Sequence, residues 1–452
     1  MRLSLLQINN LVFVIVSIVF CLMTPHSLDI SFCQFVAATY IAHNILYFLL
    51  LERKNWMGFE FFFSIAFFFI NFVYPTLIFP ISPNFSIFSM SFNDAIIPKA
   101  TTIAYMGYAF FLLGCTDIRH EKEEEPLPPA FHIEKCHVAI LFALTLIFFF
   151  CYLLTGGLKA MTDVYTDQGD LNAVGVYSYF KLLFTVSVYL LAIFSFRIKS
   201  NIKWFYMLSL VAVMTMMLST GSRTLTLGLA LIILVSFNNN IRRFRLYEVA
   251  TIMICGILLM FFIMLNRTGN DVTREVSEEV SNNEVGWLSI LLDLIINNRN
   301  LYVLVDYGTT HSLTFLQGML VDITSPIPGF SSLLIALTGQ PIEVMHGGML
   351  PTYLEFGTGS AYGLGTNMIG EAYRSFGYLG VALVMFAIGA LVRISYYRGR
   401  TNQYWYLLYF LLVSHSVMYG RSPIFYDPRL VTWSLTLLFL VCFPVNFVLK
   451  RT

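Results

Sequence analysis

Charged residues are scarce in this sequence. Only 12% of its 452 residues are charged and 57% are hydrophobic, whereas soluble domains carry roughly 25% charged residues. This composition excludes an ordinary soluble globular protein and indicates a protein that crosses the membrane several times. The formal net charge is +1, so the overall charge gives no indication of a nucleic-acid partner.

Metal and nucleotide motifs are also lacking. The seven cysteines lie inside or at the ends of apolar segments, and no two have the spacing of metal ligands, which favours packing over a zinc site or a disulfide framework. The chain has no Walker lysine loop, no GxGxxG after a strand and no HExxH. Nucleotide-driven chemistry and zinc hydrolysis are therefore not indicated, and we expect neither a cofactor nor a metal ion.

Long apolar segments dominate the rest of the chain. About twelve of them approach the ~20 residues that a helix needs to cross a bilayer. They lie near residues 5–24, 30–51, 59–79, 101–115, 136–154, 179–196, 204–218, 224–237, 249–265, 378–392, 404–418 and 431–449. We therefore predict an all-α polytopic membrane protein with nine helices in residues 1–265, a large loop in 266–376, and three helices in 377–452.

The basic residues predict the orientation of these helices. With the N-terminus in the cytoplasm, the basic clusters all fall on the cytoplasmic side, as the positive-inside rule requires. These clusters are at residues 53–54, 119–122, 135, 197–203, 242–245, 393–400 and 450–451. Both termini are then predicted to be cytoplasmic, and the large loop faces outward.

Three arginines are predicted on the opposite, outer side. Arg223 lies in a very short turn between two apolar segments, and Arg421 and Arg429 lie in the last outer loop. An outward arginine without a purpose is disfavoured, so we interpret Arg223 as functional, although a side chain that snorkels to lipid headgroups would explain it as well. Asp427 could pair with one of the two later arginines. Because the guanidinium fork matches phosphate oxygens, these residues, with Arg267, Arg274 or Arg299, could form a pyrophosphate site.

The stretch from His346 to Gly380 is the strongest candidate for chemistry. It holds nine of the 28 glycines together with Glu371, Arg374 and Asn367. Glycine at this density lets backbone N–H groups approach an anionic or sugar ligand closely. Earlier in the same loop, the apolar segment 330–337 is too short to span the bilayer, so it either dips partway into it or packs as a lid.

Two motifs carry a resemblance to a known family. The segment GLGTNMIGEAYRSFGYLG, residues 363–380, resembles the signature near the end of the large periplasmic loop in bacterial oligosaccharide repeat-unit polymerases, the Wzy O-antigen polymerase family. TGSRT, residues 220–224, is similar to the short arginine-bearing turn of those proteins. The predicted helix count and the single large late loop also match this family.

The resemblance implies a metal-independent membrane glycosyltransferase of the C-type fold in the bacterial inner membrane. Its substrate would be an undecaprenyl-pyrophosphate-linked oligosaccharide, used on the periplasmic face, and a chain-length regulator protein is a possible partner. Arg223, with Arg421 or Arg429, would stabilise the leaving pyrophosphate.

The remaining roles are assigned by residue type and position. Glu371 or His346 would accept the proton of the acceptor hydroxyl, with His311 in reserve. Asn367, Gly363, Gly365 and Arg374 would contact sugar or phosphate. Alternatively, Glu371 simply pairs with Arg374 three residues on.

Other functions fit parts of the same pattern. An O-antigen ligase would share the donor and the fold. A lipid-linked oligosaccharide flippase would suit twelve helices, but it should have two comparable halves and charges near the membrane midplane, whereas here the polar residues gather on one side. A structural partner in glycan export is a third alternative.

Overall fold

A computed structural model describes residues 4–51, 56–81, 92–116, 133–157, 174–198, 200–219, 223–265, 292–295, 297–358, 360 and 363–449. In these ranges the chain is helical, with turns between the helices and no β-strand. The predicted all-α class is therefore confirmed for the described residues. Arg267 and Arg274, in the first part of the predicted large loop, lie outside them.

The helices follow one another along the chain with short connections. Their bounds are α1 Leu5–Leu22, α2 Ile30–Leu50, α3 Phe59–Asn71, α4 Tyr74–Ile81, α5 Ile96–Cys115, α6 Lys135–Tyr152, α7 Val174–Ser195, α8 Ile202–Ser219, α9 Arg223–Asn240, α10 Leu246–Leu265, α11 Leu292–Ile295, α12 Asn298–Thr310, α13 Leu320–Thr324, α14 Phe330–Thr338, α15 Ile342–Met345, α16 Leu350–Phe356, α17 Met368–Arg398, α18 Gln403–His415 and α19 Pro428–Leu449. Each of the apolar segments predicted from the sequence coincides with one of these helices or with a consecutive pair.

Six helices within the described ranges are long and apolar enough to cross a membrane, and a seventh span exists if the bent pair α3 and α4 is counted as one. The six are α1, α2, α5, α6 with its extension to Gly157, most of α7, and α17. Four further apolar helices are shorter, at residues 202–218, 225–240, 246–258 and 428–443. The chain is therefore a multi-pass membrane protein, and twelve crossings remain a prediction.

The third predicted span is bent. Helices α3 and α4 meet at an angle of 45°, and Pro75 follows the break at the start of α4. Proline has no backbone N–H to donate and clashes with the preceding turn, which is the usual cause of such a bend.

Helix α5 lies at the centre of the bundle. Sixteen of its 20 residues are buried inside the protein, and it packs against α1, α2, α12 and above all α17. A membrane helix with so little lipid-facing surface fixes its neighbours in place, and α17 carries the candidate site at its first turns.

Helix α17 is interrupted at Gly377, whose φ of 65° and ψ of −155° are not helical. The break separates residues 368–376 from the apolar part that begins at Tyr378. The carbonyls of Arg374 and Ser375 accept backbone N–H groups from Thr314 at 3.2 Å and Phe315 at 3.0 Å. The loop before α13 is thus bonded to the end of the first segment of α17.

Candidate functional site

Five residues from three separate parts of the chain meet at the end of the bundle where α17 begins. They are Asp322 on α13, His346 and Gly347 in the turn after α15, and Glu371 and Arg374 on α17. We call them the acid–histidine cluster. Asp322, His346 and Gly347 are brought there by short helices and turns of the 312–358 region, which contacts α17.

Asp322 links two of these parts. Its side chain is almost fully buried, its Oδ1 lies 3.3 Å from Nδ1 of His346, and its Oδ2 accepts the backbone N–H of Gly347 at 2.9 Å. Burial raises the pKa of Asp322, while His346, the Gly347 N–H, Arg374 and Arg429 act in the opposite direction. A carboxylate in this position can hold an imidazole ring in place.

Nδ1 of His346 has two competing partners. Besides Asp322, it faces the backbone N–H of Gly348 at 2.9 Å. Gly348 requires a lone pair on Nδ1, whereas Asp322 requires a proton there. Because a hydrogen bond to an ionised group is roughly twice as strong as a neutral one, ionised Asp322 favours a proton on Nδ1, which leaves Nε2 able to accept another. The side chain of His346 is 29% exposed, so a substrate can reach it.

Glu371 is buried more deeply than His346. It is 1% exposed, and its Oε2 accepts the backbone N–H of Ile424 at 2.8 Å. Its Oε1 has no hydrogen-bond partner among the described residues. The carboxyl group therefore anchors the loop that precedes α19. Burial raises the pKa of Glu371 to about 8, so near neutral pH the group is largely protonated, and the oxygen without a partner calls for an explanation in a buried group.

Gly347 lies directly against Glu371. A Cβ at position 347 would come within 2.6 Å of the carboxyl carbon of Glu371, closer than real Cβ contacts. Only glycine fits here without displacing that carboxyl group. This explains one glycine of the glycine-rich stretch by packing inside the protein rather than by contact with a ligand.

Gly347→Ala is expected to lower turnover by about a hundredfold, because it would displace the Glu371 carboxyl group that holds the loop before α19, and a misplacement of roughly 1 Å away from the chemistry has this effect. Gly363→Ala is the matched control, since Gly363 is exposed and a Cβ there would meet nothing within 4 Å. Both variants are compared for turnover and for the amount of inserted protein. Equal turnover in the two variants would contradict the close packing at Gly347.

Arg374 is also almost fully buried. Its Nη2 donates to the carbonyl of Gly318 at 3.5 Å, and its Nε and Nη1 have no hydrogen-bond partner among the described residues. It lies within electrostatic range of Glu371 and Asp322 but forms no ion pair with Glu371. The i,i+3 pairing considered from the sequence is therefore not formed, and two guanidinium nitrogens are left for another acceptor.

Arg421 and Arg429, the two arginines of the last predicted outer loop, differ in position. Arg429 is exposed at the start of α19, within electrostatic range of Asp322. Arg421 ends a 3₁₀ turn and lies near Tyr426. Asp427 does not pair with Arg429; its Oδ1 accepts the N–H of Leu430 at 3.2 Å. Arg429 is therefore the arginine of this loop that the structure brings toward the acid–histidine cluster.

Arg223 is the first residue of α9, and its side chain lies outside the described residues, as does the turn 220–222. Two residues on, the carbonyl of Leu225 accepts the hydroxyl of Tyr189 on α7 at 3.3 Å. The Tyr189 ring lies 6.4 Å from that of His415, which lies 4.6 Å from that of Tyr426. The start of α9 is thus beside the loop that holds Arg421 and Arg429.

Asn367 is occupied within the protein. It is fully buried, and its Oδ1 accepts the N–H groups of Ile369 at 3.0 Å and Gly370 at 3.5 Å, which caps α17. Its Nδ2 donates to Oδ1 of Asn71 at 2.9 Å and of Asn297 at 3.5 Å. The amide therefore joins α3, the start of α12 and α17, and this bonding accounts for the residue without a sugar.

Asn367→Ala is expected to destabilise the protein by more than the ~1 kcal/mol typical of a lost N-cap, because the buried acceptors on Asn71 and Asn297 also lose their donor. Asn402→Ala is the matched control: Asn402 caps α18 through the same pair of N–H groups but is exposed. Thermal unfolding in detergent measures both. Equal shifts in melting temperature would show that the tertiary bonds of Asn367 contribute nothing.

The other predicted residues lie apart from the cluster. Gly363 is exposed, and Gly365, with a φ of 73°, lies near Asn297 and the carbonyl of Arg421. His311 is exposed at the end of α12, where its ring stacks on Tyr307 with centroids 4.1 Å apart. The structure therefore brings together His346, Glu371 and Arg374, with Arg429 nearby, and leaves His311 outside.

Sequence analysis missed two buried charged positions. Asp322 is the only charged residue between Ser312 and Gln340, and this isolation in an apolar segment was the signal that could have identified it. Arg299 was considered only as one of several arginines. It is buried near Glu355 and Tyr74, and burial lowers its pKa to about 10.

The described residues contain no group of three or more His, Cys, Asp or Glu side chains arranged to hold a metal ion. What the cluster can do chemically is transfer a proton at His346 and provide positive charge from Arg374 and Arg429. This combination suits a displacement in which a hydroxyl loses its proton while an anion departs.

The family model described as O-antigen polysaccharide polymerase Wzy matches residues 8–451, nearly the whole chain. No curated protein and no solved structure matches the chain at a significant level.

Proposed function

We propose, because the chain belongs to the O-antigen polysaccharide polymerase Wzy family, that it polymerises undecaprenyl-pyrophosphate-linked oligosaccharide repeat units into O-antigen or a capsule-like polysaccharide. Repeat-unit polymerisation by a glycosyltransferase-like membrane enzyme is the general activity of the family. We propose in addition that the lipid carrier is undecaprenyl pyrophosphate, that the reaction takes place on the periplasmic face of the inner membrane, and that it needs no metal ion. The acid–histidine cluster is the observation on which the proposal rests.

His346 is the general base in this proposal. The acceptor hydroxyl of an incoming lipid-linked unit attacks the anomeric carbon of the donor glycan, and its proton passes to Nε2 of His346. The new glycosidic bond forms as the bond from the anomeric carbon to the pyrophosphate oxygen breaks. Asp322, 3.3 Å from Nδ1, holds the ring and stabilises the imidazolium that results, as a carboxylate does for histidine in other proton transfers.

The contrast in burial favours His346 over Glu371. A base must come within hydrogen-bond reach of the proton it removes, and the side chain of His346 is 29% exposed while Glu371 is 1% exposed beneath Gly347. Glu371 instead anchors the backbone at Ile424. Its role is to position the loop that carries Arg429.

The arginines receive the leaving group. Negative charge builds on the pyrophosphate as its bond to the sugar breaks, and fixed cations stabilise that charge. The proximity of Arg429 to Asp322 supports this role for Arg429. Arg374 is suited to it because two of its guanidinium nitrogens have no hydrogen-bond partner among the described residues. Arg223 and Arg421 complete the set by their place at the start of α9 and in the loop before α19.

The proposal is tested with purified protein in proteoliposomes supplied with a lipid-linked repeat unit, without ATP or nucleotide sugar and with EDTA present. We expect a ladder of longer lipid-linked glycans, with one undecaprenyl pyrophosphate released for each unit added. Transbilayer movement of the lipid without chain growth would instead indicate a flippase. Transfer that requires added lipid A core would indicate a ligase.

A further inference from the structure

The loop region before and after α13 carries an unusual apolar surface. Seven of its large hydrophobic side chains are between 39 and 74% exposed. They are Leu313, Phe315, Leu316, Ile323, Ile327, Leu333 and Leu337. We call this set the apolar loop surface. Patches of this kind on a protein usually mark contact with a membrane or a partner.

Charged residues are nearly absent from the same region. Asp322 is the only charged residue between Ser312 and Gln340, and it is buried toward His346 and Gly347. A loop of this length in water would carry several exposed charges, since charged residues form roughly a quarter of soluble domains. The apolar loop surface is therefore suited to an apolar environment without charges.

Helix α14 is covered by the protein on one side only: Phe330, Ser331, Leu334 and Ile335 are half-buried, and its other residues are exposed. Its sequence FSSLLIALT is apolar around most of its circumference, yet none of its residues is buried. A helix that is hydrophobic all round is ordinarily surrounded by a core or by lipid. Nine residues span about 14 Å, less than half of the ~30 Å hydrocarbon layer, so α14 fits within one leaflet.

The apolar loop surface continues the lipid-facing side of a membrane span. The ring of Phe315 lies 6.0 Å from that of Phe376, and backbone hydrogen bonds tie Thr314 and Phe315 to the residues just before the break at Gly377. Beyond the break, Leu379 is 68% and Leu383 59% exposed on α17. Lipid that covers these two leucines thus extends over the adjoining loop.

From these observations we propose that the apolar loop surface is immersed in the bilayer, in the leaflet on the side of the acid–histidine cluster, with the exposed side of α14 in contact with lipid acyl chains. This resolves the two possibilities for residues 330–337: the segment enters the membrane rather than closing over the site as a lid. The inference concerns how the loop is held and does not depend on the reaction proposed above.

The test places one fluorescent amino acid at Leu337 in the full-length protein, reconstituted in phosphatidylcholine vesicles whose acyl chains carry a doxyl quencher. The same amino acid at Leu383, in the span of α17, is the lipid-exposed reference. Thr401, exposed in the polar turn between α17 and α18, is the water-exposed reference. We expect quenching at Leu337 to be several-fold stronger than at Thr401 and comparable to that at Leu383.

Quenching at Leu337 no stronger than at Thr401 would overturn the proposal, and would point to a lid, a second copy of the chain or another protein as the cover of this surface. A probe at Leu333 repeats the measurement at a second position on the same helix. Both positions are exposed and make no buried contact, so the probes leave the fold intact. Agreement between them excludes a local effect of either label.

Discussion

Replacement of His346 by alanine is expected to lower the rate of glycan polymerisation by about two to four orders of magnitude, the range that general base catalysis contributes. The imidazole is the group in the acid–histidine cluster that combines exposure with an orienting carboxylate at 3.3 Å. The rate is measured from chain growth in proteoliposomes with a lipid-linked repeat unit in excess. Under these conditions a change in substrate affinity alone leaves the rate unaltered.

His311→Ala provides the matched control for this variant. His311 belongs to the same outer region, is more exposed and stacks on Tyr307 away from the cluster. It should keep nearly full activity. If His346→Ala polymerises at the rate of His311→Ala, another residue is the base, and Glu371 becomes the next candidate.

Asp322→Asn is expected to reduce turnover by about a hundredfold or more, although the substitution preserves shape. Asparagine can still accept the N–H of Gly347, but its amide would donate to Nδ1 of His346 instead of accepting from it. The imidazole would then carry its proton on Nε2, where it cannot remove a proton from the acceptor. Loss of the correct histidine tautomer has a large effect in enzymes that use an Asp–His pair.

A measurement of the stability of Asp322→Asn distinguishes a role of Asp322 in positioning His346 from a role in folding. Burial raises the pKa of Asp322 above its unfolded value, so the folded protein holds this proton more tightly than the unfolded chain. The stability that comes from this proton is fully present below the unfolded pKa and is lost as pH rises through the folded pKa. The melting temperature of Asp322→Asn relative to wild type should therefore rise with pH. A variant that loses stability and activity together at every pH would assign Asp322 a structural role only.

Hydropathy was sufficient to locate the helices. Long apolar segments have few alternatives to a helix in a bilayer, and each predicted segment coincides with helical structure. The break at Gly377 was not predicted, because it depends on neighbours: the loop before α13 satisfies the carbonyls that the break leaves open.

The site was predictable only in part. His346, Glu371 and Arg374 were identified because they share one glycine-rich stretch, and the structure does bring them together. Asp322 lies 24 residues before His346, and only the turns around α13 to α15 make the two neighbours. Asn367 was assigned to ligand binding because composition cannot reveal that a polar side chain is already bonded to Asn71 and Asn297.

The hydrogen bond between Asn71 and Asn367 has a consequence for biosynthesis. Its two residues are 296 positions apart in the chain, which corresponds to roughly fifteen seconds to a minute of translation. During that interval α3 leaves the ribosome and enters the membrane with the Asn71 amide bonded only to its own helix, at the carbonyl of Phe67. Asn367, which caps the first turn of α17, bonds to α3 only late in synthesis, so a chain terminated before residue 367 can insert most of its helices and still lack the start of α17.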